Sequence, residues 1–469
     1  MDKADLEFAT PEAALSYDAW TPHYEQPLWK DPQRTVEKRG YPDVGAGILA
    51  DKQVYWSKDA HDLEWQALWR KTWHLVGHLN DIPKQGDFLK TDLGPESFLV
   101  TRGSNDALTA LYNFCTHRGT RLVMKDFGSA TRFVCPYHRW EFETDGAIRH
   151  VPQRETFRKE TLCRSLDMPK ARVDTWRGWI FLTMDKEAPA LADYLGDDFT
   201  AMLGAYDLEK MVRVADVAQT WPVNWKTAHE AFIEGYHVQA THPQLIPNVD
   251  TYYAQVDLYP NGHNRQFFPF TEPMTPYLDE IPLELSEENK LFLREAGVAE
   301  ADFPKTRDGV PQAVVKGKRN GANGAIDYSK FTDGQLIDDW SLSFFPGVTW
   351  NIHPEGVLVQ SWRPHATDPL LCEYILRVYA VPGISELPSY MGVPKDVDTS
   401  GKTVLPRSYA DPEDFSVLGP VVSQDRVLIP RLQAGMRSEA FEGAILGEQE
   451  LRIRAFYDEY CKYINGLKR

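Results

Sequence analysis

Cys115-Thr116-His117, followed after seventeen intervening residues by Cys135-Pro136-Tyr137-His138, decides the first half of the fold. Each half offers one thiolate and one imidazole, in C-x-H and C-x-x-H spacing. A two-iron cluster with two thiolates on one iron and two imidazoles on the other needs that division, and the imidazoles raise its potential. A structural zinc site of Cys2His2 type uses the same ligand elements. Zinc fingers, however, pair cysteine with cysteine and histidine with histidine across their short gaps, whereas here each short gap pairs unlike ligands. Cys115, His117, Cys135 and His138 are therefore read as ligands of a [2Fe–2S] cluster held between two loops. Gly119 and Pro136 suit tight turns in those loops. Asp145-Gly146, between Trp140-Glu141-Phe142 and Ala147-Ile148, predicts a hairpin beside them.

Short alternating runs on either side, such as Ser97–Val100 and Gly178–Leu182, make residues 71–185 an all-β block. Before it, residues 1–70 mix Pro and aromatics ahead of the amphipathic stretch Asp62–Trp69 and read as a helical lead-in. After it, 186–469 is mixed. A helix is predicted from about Asn224 to His242, with strands at Trp340–Phe345, Val357–Trp362 and Cys372–Val381. Between helix and strands lies 260–338, with a short helix opened by Ser286 and carrying Glu287 and Glu288 in its first turn. Gly309, Gly317, Gly321 and Gly324 mark this region as a flexible insertion, either a lid or partner-facing segment or a passive surface loop. The expected class is α+β.

The 469 residues allow two or three structural units at about 150 residues each. With 51 Lys plus Arg against 68 Asp plus Glu, the net charge of −17 is a poor match to a polyanion, so nucleic acid is not an expected partner. No apolar run reaches the length of a membrane span, and Met1–Glu7 has no signal-peptide pattern. A cytoplasmic protein is expected. The remaining cysteines, Cys163, Cys372 and Cys461, have no partners in sequence and read as reduced thiols.

A second constellation concentrates three histidines and two glutamates between Asn224 and His242. On a helix Glu234 and His237 would share a face. His242 would point away from His237 on an ideal helix, so the two reach one metal only at a helix end, which Pro243 makes plausible. Two histidines and a carboxylate form the facial triad of non-haem Fe(II) oxygenases, with positions left open for O2 and substrate. The carboxylate has to come from elsewhere in the chain. His229 and Glu230 read as residues of the helix surface or as supports behind the ligands.

With both motifs in hand, the chain resembles the α subunits of Rieske non-haem iron oxygenases, the aromatic ring-hydroxylating oxygenases. The resemblance is most specific over 110–140, specific over 221–243 and looser over 340–440. It implies an all-β Rieske [2Fe–2S] domain inserted before a helix-grip catalytic domain with a long curled antiparallel sheet. It further implies His237 and His242 as ligands of a mononuclear Fe(II), with Asp425 in Val421-Val422-Ser423-Gln424-Asp425-Arg426 as the third. Glu234 takes the place of the acid that links a Rieske histidine of one subunit to an iron-binding histidine of its neighbour. Most ring dioxygenases have Asp there, and Glu is similar to members acting on non-ring substrates.

The implied function is that of a terminal oxygenase. It would use O2 and NAD(P)H-derived electrons to hydroxylate or dihydroxylate an aromatic or other hydrophobic compound in a catabolic pathway. O- or N-dealkylation is the alternative, and a non-catalytic iron–sulfur electron carrier a remote one, since a carrier needs no H-x4-H pair. No G-x-G-x-x-G lies between a strand and a helix, so electrons would arrive through a separate reductase, with or without a ferredoxin. The family's relay implies a homotrimer, with or without β subunits. Phe232, Ile233, Phe344, Phe345, Trp350 and Ile352 are expected as pocket residues. Lys316-Gly317-Lys318-Arg319 reads as a solvated basic loop or as a contact for an acidic partner or a substrate carboxylate.

Overall fold

A short strand at Ile48–Leu49 pairs with Ala444–Ile445, and the main sheets begin at His74. The computed structural model describes residue 44, residues 48–49 and residues 51–468 except 253, 385, 395, 396 and 403. Most of the predicted lead-in therefore lies outside the described residues. Its described end is a helix, α1 (Lys58–Glu64), capped by Ser57 and continued by a π-turn over Trp65–Trp69.

The first unit is all-β. Strands β1 (His74–His78), β2 (Asp87–Leu93), β3 (Glu96–Arg102), β4 (Leu108–Tyr112) and β5 (Phe127–Ser129) are followed by three short strands. These are β6 (Phe133–Val134), β7 (Glu141–Phe142) and β8 (Ile148–His150), and β9 (Lys170–Trp176) and β10 (Trp179–Thr183) close the unit. Seven of them form one sheet in the order β1-β10-β9-β4-β3-β2-β5, and β6-β7-β8 form a second. The Asp145-Gly146 turn falls between β7 and β8, with Gly146 at φ +90°, a backbone conformation that suits glycine.

The second unit is an eight-stranded sheet. Its strands are β11 (Val212–Trp221), β12 (Gln255–Leu258), β13 (Asn264–Phe268), β14 (Asp339–Phe344), β15 (Val348–His353), β16 (Gly356–Pro364), β17 (Cys372–Ala380) and β18 (Ser408–Tyr409). They run in the order β12-β13-β14-β15-β16-β17-β11-β18, antiparallel except for the last pair. Helix α2 (Trp225–Glu230) packs on β16.

Both faces of this sheet are buried, and they differ in kind. Trp340, Leu342, Phe344, Trp350 and Ile352 point into a core shared with Trp179 and Phe181 of the first unit. Trp362, Tyr374 and Leu376 point the other way, against Trp225 and Ala228 of α2. Trp221, Trp225, Trp350 and Trp362 are fully buried. Each removes roughly 150–250 Å² from water, about 4–6 kcal/mol at 25 cal/mol per Å².

The stretch 260–338 is not a loose insertion. After α3 (Val238–Thr241), which precedes it, it holds β13 and the helices α4 (Glu287–Glu295), α5 (Val310–Arg319) and α6 (Asp333–Ile337). Ser286 caps α4 as its sequence predicts. Leu293, Ala296, Val310, Val314 and Ile337 give these helices a core of their own. Gly317 is a packing residue, since a Cβ there would stand 2.3 Å from the Ala296 carbonyl oxygen. Lys318 is buried and pairs with Glu355 at 2.9 Å, and Arg319 with Asp333 at 2.5 Å, so the basic run belongs to a helix and its ion pairs rather than to a solvated loop.

Candidate active site

The two cysteine–histidine loops are built alike. Cys115 N–H donates to the Thr120 carbonyl and Cys135 N–H to the Trp140 carbonyl, while Gly119 N–H and Arg139 N–H donate back to the respective cysteine carbonyls. Gly119 and Arg139 both take positive φ, at +81° and +60°. The matched turns bring the four side chains together. Cys115 and Cys135 are buried, and burial, with Cys135 adding to it, pushes the Cys115 thiol up to about 11. The His117 and His138 rings lie 4.7 Å apart, and His117 stacks on Trp140 at 4.9 Å. His117 Nδ1 is buried with no hydrogen-bond partner. Two adjacent thiols beside two imidazoles, one with an orphaned nitrogen, fit a cluster that takes sulfur on one iron and nitrogen on the other.

The predicted helix from Asn224 to His242 is broken. Asn224 caps α2, which ends at Glu230; the chain then turns, and the four-residue α3 separates His237 from His242. Gly235 is needed in the turn because a Cβ would stand 2.8 Å from the Phe268 ring. Glu234 and His237 therefore meet across a turn and not along a helix face. Glu234 accepts from the His237 N–H at 3.1 Å and contacts His237 Nδ1 and the Tyr236 N–H.

His237 and His242 flank α3 and turn their Nε2 atoms to one carboxylate. Asp425 Oδ1, on the buried side of α7 (Pro420–Met436), lies 3.6 Å from His237 Nε2 and 3.0 Å from His242 Nε2. The three donor atoms lie within 4.8 Å of one another and could hold a metal ion. His242 Nε2 is buried with no hydrogen-bond partner, and its Nδ1 donates to Gln424 Oε1 at 2.7 Å. An amide oxygen can only accept, which puts a proton on Nδ1 and makes Nε2, facing Asp425, the nitrogen available to a metal. Burial works against a charged His237 ring, but Glu234 and then Asp425 outweigh it and raise its pKa.

His229 and Glu230 are not on the helix surface; both are buried. His229 sits between the Trp362 and Phe456 rings, each at 5.4 Å, and burial depresses it to about 3, so it is neutral. Glu230 accepts from Tyr55 Oη at 2.9 Å and from Tyr457 Oη. One turn earlier Lys226 Nζ pairs with Glu64 at 2.6 Å, tying α2 to α1.

A cavity of about 420 Å³ opens on the triad and is lined by Glu234, His237, His242 and Asp425. Phe232 lines it, as expected. Ile233 and Phe345 instead lie in the helix-side core, and Phe344, Trp350 and Ile352 are on the sheet's opposite face. Strand side chains alternate, so the cavity receives the intervening residues Asp339, Ser341, Asn351, His353 and Gln360. Neither these residues nor Gln424 carries a local sequence signal. Among the described residues no helix is long and apolar enough to cross a membrane.

A β unit presenting two Cys–His loops, followed by a helix-wrapped antiparallel sheet with a two-histidine, one-carboxylate group, defines the Rieske class of mononuclear iron proteins. Residues 72–170 match the Rieske [2Fe-2S] domain, and residues 208–466 match the ring hydroxylating alpha subunit (catalytic domain). The chain belongs to the ring-hydroxylating α-subunit family. That membership implies one Rieske cluster and one mononuclear iron, which the donor sets fit.

Among its relatives, the biphenyl dioxygenase subunit alpha of Metapseudomonas furukawaii is 32% identical over 239 residues, 46% of this chain and 51% of the relative. The benzene 1,2-dioxygenase subunit alpha of Pseudomonas putida is 35% identical over 205 residues, 42% of this chain and 45% of the relative. The match thus spans about half the length of these curated relatives. In structure, a quaternary ammonium Rieske monooxygenase bound to L-carnitine aligns with TM-score 0.63 at 19% identity over 91% of this chain and 99% of that one. Naphthalene 1,2-dioxygenase from Rhodococcus sp. aligns with TM-score 0.62 at 16% identity over 89% and 94%. At such identities the likeness is one of fold.

Proposed function

We propose that this chain is the terminal oxygenase of a multicomponent system. Cys115, His117, Cys135 and His138 would hold the Rieske cluster, and His237, His242 and Asp425 the mononuclear iron. The meeting of His237, His242 and Asp425 on the wall of a 420 Å³ cavity carries this reading. A bound Fe(II) supplies O2 activation beside an organic substrate, which is hydroxylated or dihydroxylated. The chain's own groups prepare for it. Gln424 and Glu234 face the Nδ1 atoms of the two histidines, freeing both Nε2 atoms for the metal. The rings of Phe232, Phe268 and Phe270 make part of the cavity apolar, binding the substrate body and excluding water.

Electrons would come from NAD(P)H through a reductase, with or without a ferredoxin. In a homotrimer, with or without β subunits, Glu234 would join a neighbour's Rieske histidine to His237. Monooxygenation with O- or N-dealkylation is a second reading, favoured by Glu at 234 and by the polar sheet side of the cavity. Coupled O2 uptake with product analysis across ring and N-alkyl substrates tests both: dihydrodiols support ring dioxygenation, aldehyde release supports dealkylation, and no coupled uptake with any substrate contradicts the oxygenase assignment.

A further inference from the structure

The sheet side of the cavity is polar. Asp339 and Ser341 from β14, Asn351 and His353 from β15 and Gln360 from β16 all line it, with Ser341 paired to Asn351 across the sheet. A bare hydrocarbon would dehydrate these groups and satisfy none of them, whereas a site with buried polar groups selects a substrate that pairs with them.

The hydrogen-bonding capacity left over is specific. Asn351 Nδ2 donates to Asp339 Oδ2 at 2.8 Å, Tyr374 Oη donates to Gln360 Oε1 at 2.6 Å, and Ser341 Oγ accepts from Arg452 at 3.1 Å. Asp339, 7% exposed, keeps Oδ1 buried with no hydrogen-bond donor, His353 Nε2 standing 3.5 Å away. Arg452 donates through Nε and Nη1 to Asn264, Gln266 and Ser341 and keeps Nη2 buried without a hydrogen-bond partner; Asp339 supports its charge from a distance, but among the described residues the two make no contact ion pair.

The cation nearest the rings beside Asp339 is Lys318, 5.6 Å from the Tyr390 ring centroid and already paired with Glu355 at 2.9 Å. Among the described residues the cavity lining contains no lysine or arginine, and Asp339 and Glu288 add negative charge beyond Glu234 and Asp425. Rings gather on the same side: His353 lies 4.3 Å from Tyr390, and Phe270 lies 5.9 Å from His353 and 6.4 Å from Tyr390, all on the lining. A carboxylate with a free acceptor among aromatic faces suits an organic cation that carries an N–H.

We propose that Asp339, with His353, Tyr390 and Phe270, forms a subsite for a protonated amine, so that the substrate is an amphipathic ammonium compound with its apolar part turned toward His237, His242 and Asp425. The inference rests on the oxygenase reading in taking this cavity as the substrate's. It is tested by binding rather than turnover. On the iron-loaded protein, calorimetry would compare N,N-dimethylbenzylammonium with its neutral isostere isobutylbenzene.

The ammonium is expected to bind at least about tenfold tighter, and Asp339→Asn to bring the two within about threefold at unchanged iron content and cluster spectrum. Should that variant fail to fold, Tyr390→Leu is expected to weaken the ammonium alone by about fivefold. Equal affinities in the wild type, no ammonium binding at millimolar concentration, or an undiminished preference in the foldable variant would overturn the proposal. A protein that binds the ammonium yet consumes no O2 with any substrate would refute the oxygenase reading and leave the subsite standing. One that oxidises isobutylbenzene and ignores the ammonium would do the reverse.

Discussion

Gln424 Oε1 stands 2.7 Å from His242 Nδ1, one residue before the Asp425 whose Oδ1 faces the other nitrogen of the same ring at 3.0 Å. One helix thus grips this imidazole from both sides. Gln244 Nε2 donates to the same Gln424 oxygen at 2.7 Å and fixes its orientation. Gln424→Leu is expected to lower mononuclear iron affinity by about 10–100-fold and to leave the Rieske spectrum unchanged; Gln424→Glu, which keeps an acceptor, is expected to restore much of it. Iron titration of the apoprotein reads the effect.

Glu234 contacts the ring nitrogen and accepts the backbone N–H of His237. Glu234→Gln is expected to leave both centres loaded while slowing oxidation of the reduced cluster in single turnover. Stopped-flow absorbance of the cluster reads that rate, and an unchanged rate would remove Glu234 from the relay.

Burial raises Glu230 to about 7, against the opposing hydrogen bonds of Tyr457 and Tyr55 and the charge of Lys226. A carboxyl with a raised pKa holds its proton in the folded state after the unfolded chain has lost it, so its contribution is fully present below about 4.5 and is lost as pH rises through about 7. The loss is up to about 3 kcal/mol at 1.36 kcal/mol per unit. Urea midpoints at pH 5 and pH 8 are expected to fall more in the wild type than in Glu230→Gln, whose amide cannot ionise.

Much of this was legible in the sequence, and the failures have physical causes. The Cys–His loops are read from local spacing, because both ligands of each half come from one tight turn. The β strands and the Ser286 cap are equally local. The helix from Asn224 to His242 breaks where Gly235 approaches Phe268, and Glu234 holds the turn by accepting the His237 N–H, a tertiary arrangement that periodicity does not show. Phe344 and Trp350 are expected at the cavity as apolar residues of the sheet, yet a sheet buried on both faces has apolar residues on each, and the cavity face is marked by Ser341 and Asn351. Lys318 resembles a surface lysine until Glu355, brought in from the sheet, is seen beside it.

Gly317 makes the same point in α5. With Gly309, Gly321 and Gly324 it reads as a mark of flexibility, but a Cβ at 317 would meet the Ala296 carbonyl oxygen and Val298 Cγ2 at 2.3 and 2.8 Å. Gly317→Ala is expected to cost about 1–3 kcal/mol by overpacking, seen as a lower urea midpoint with both metal centres still loaded.

On the proposed reading one chain carries two separate iron centres, built from Cys115, His117, Cys135 and His138 and from His237, His242 and Asp425. The most direct measurement is iron and acid-labile sulfide per chain, with EPR of the reduced protein, for the wild type, His237→Ala and Cys115→Ala. Three irons and two sulfides with a Rieske signal are expected in the wild type, two irons with the signal intact in His237→Ala, and loss of the signal in Cys115→Ala. Zinc in place of iron, or a wild type that holds two irons after reconstitution and loses none on replacing His237, would contradict that reading.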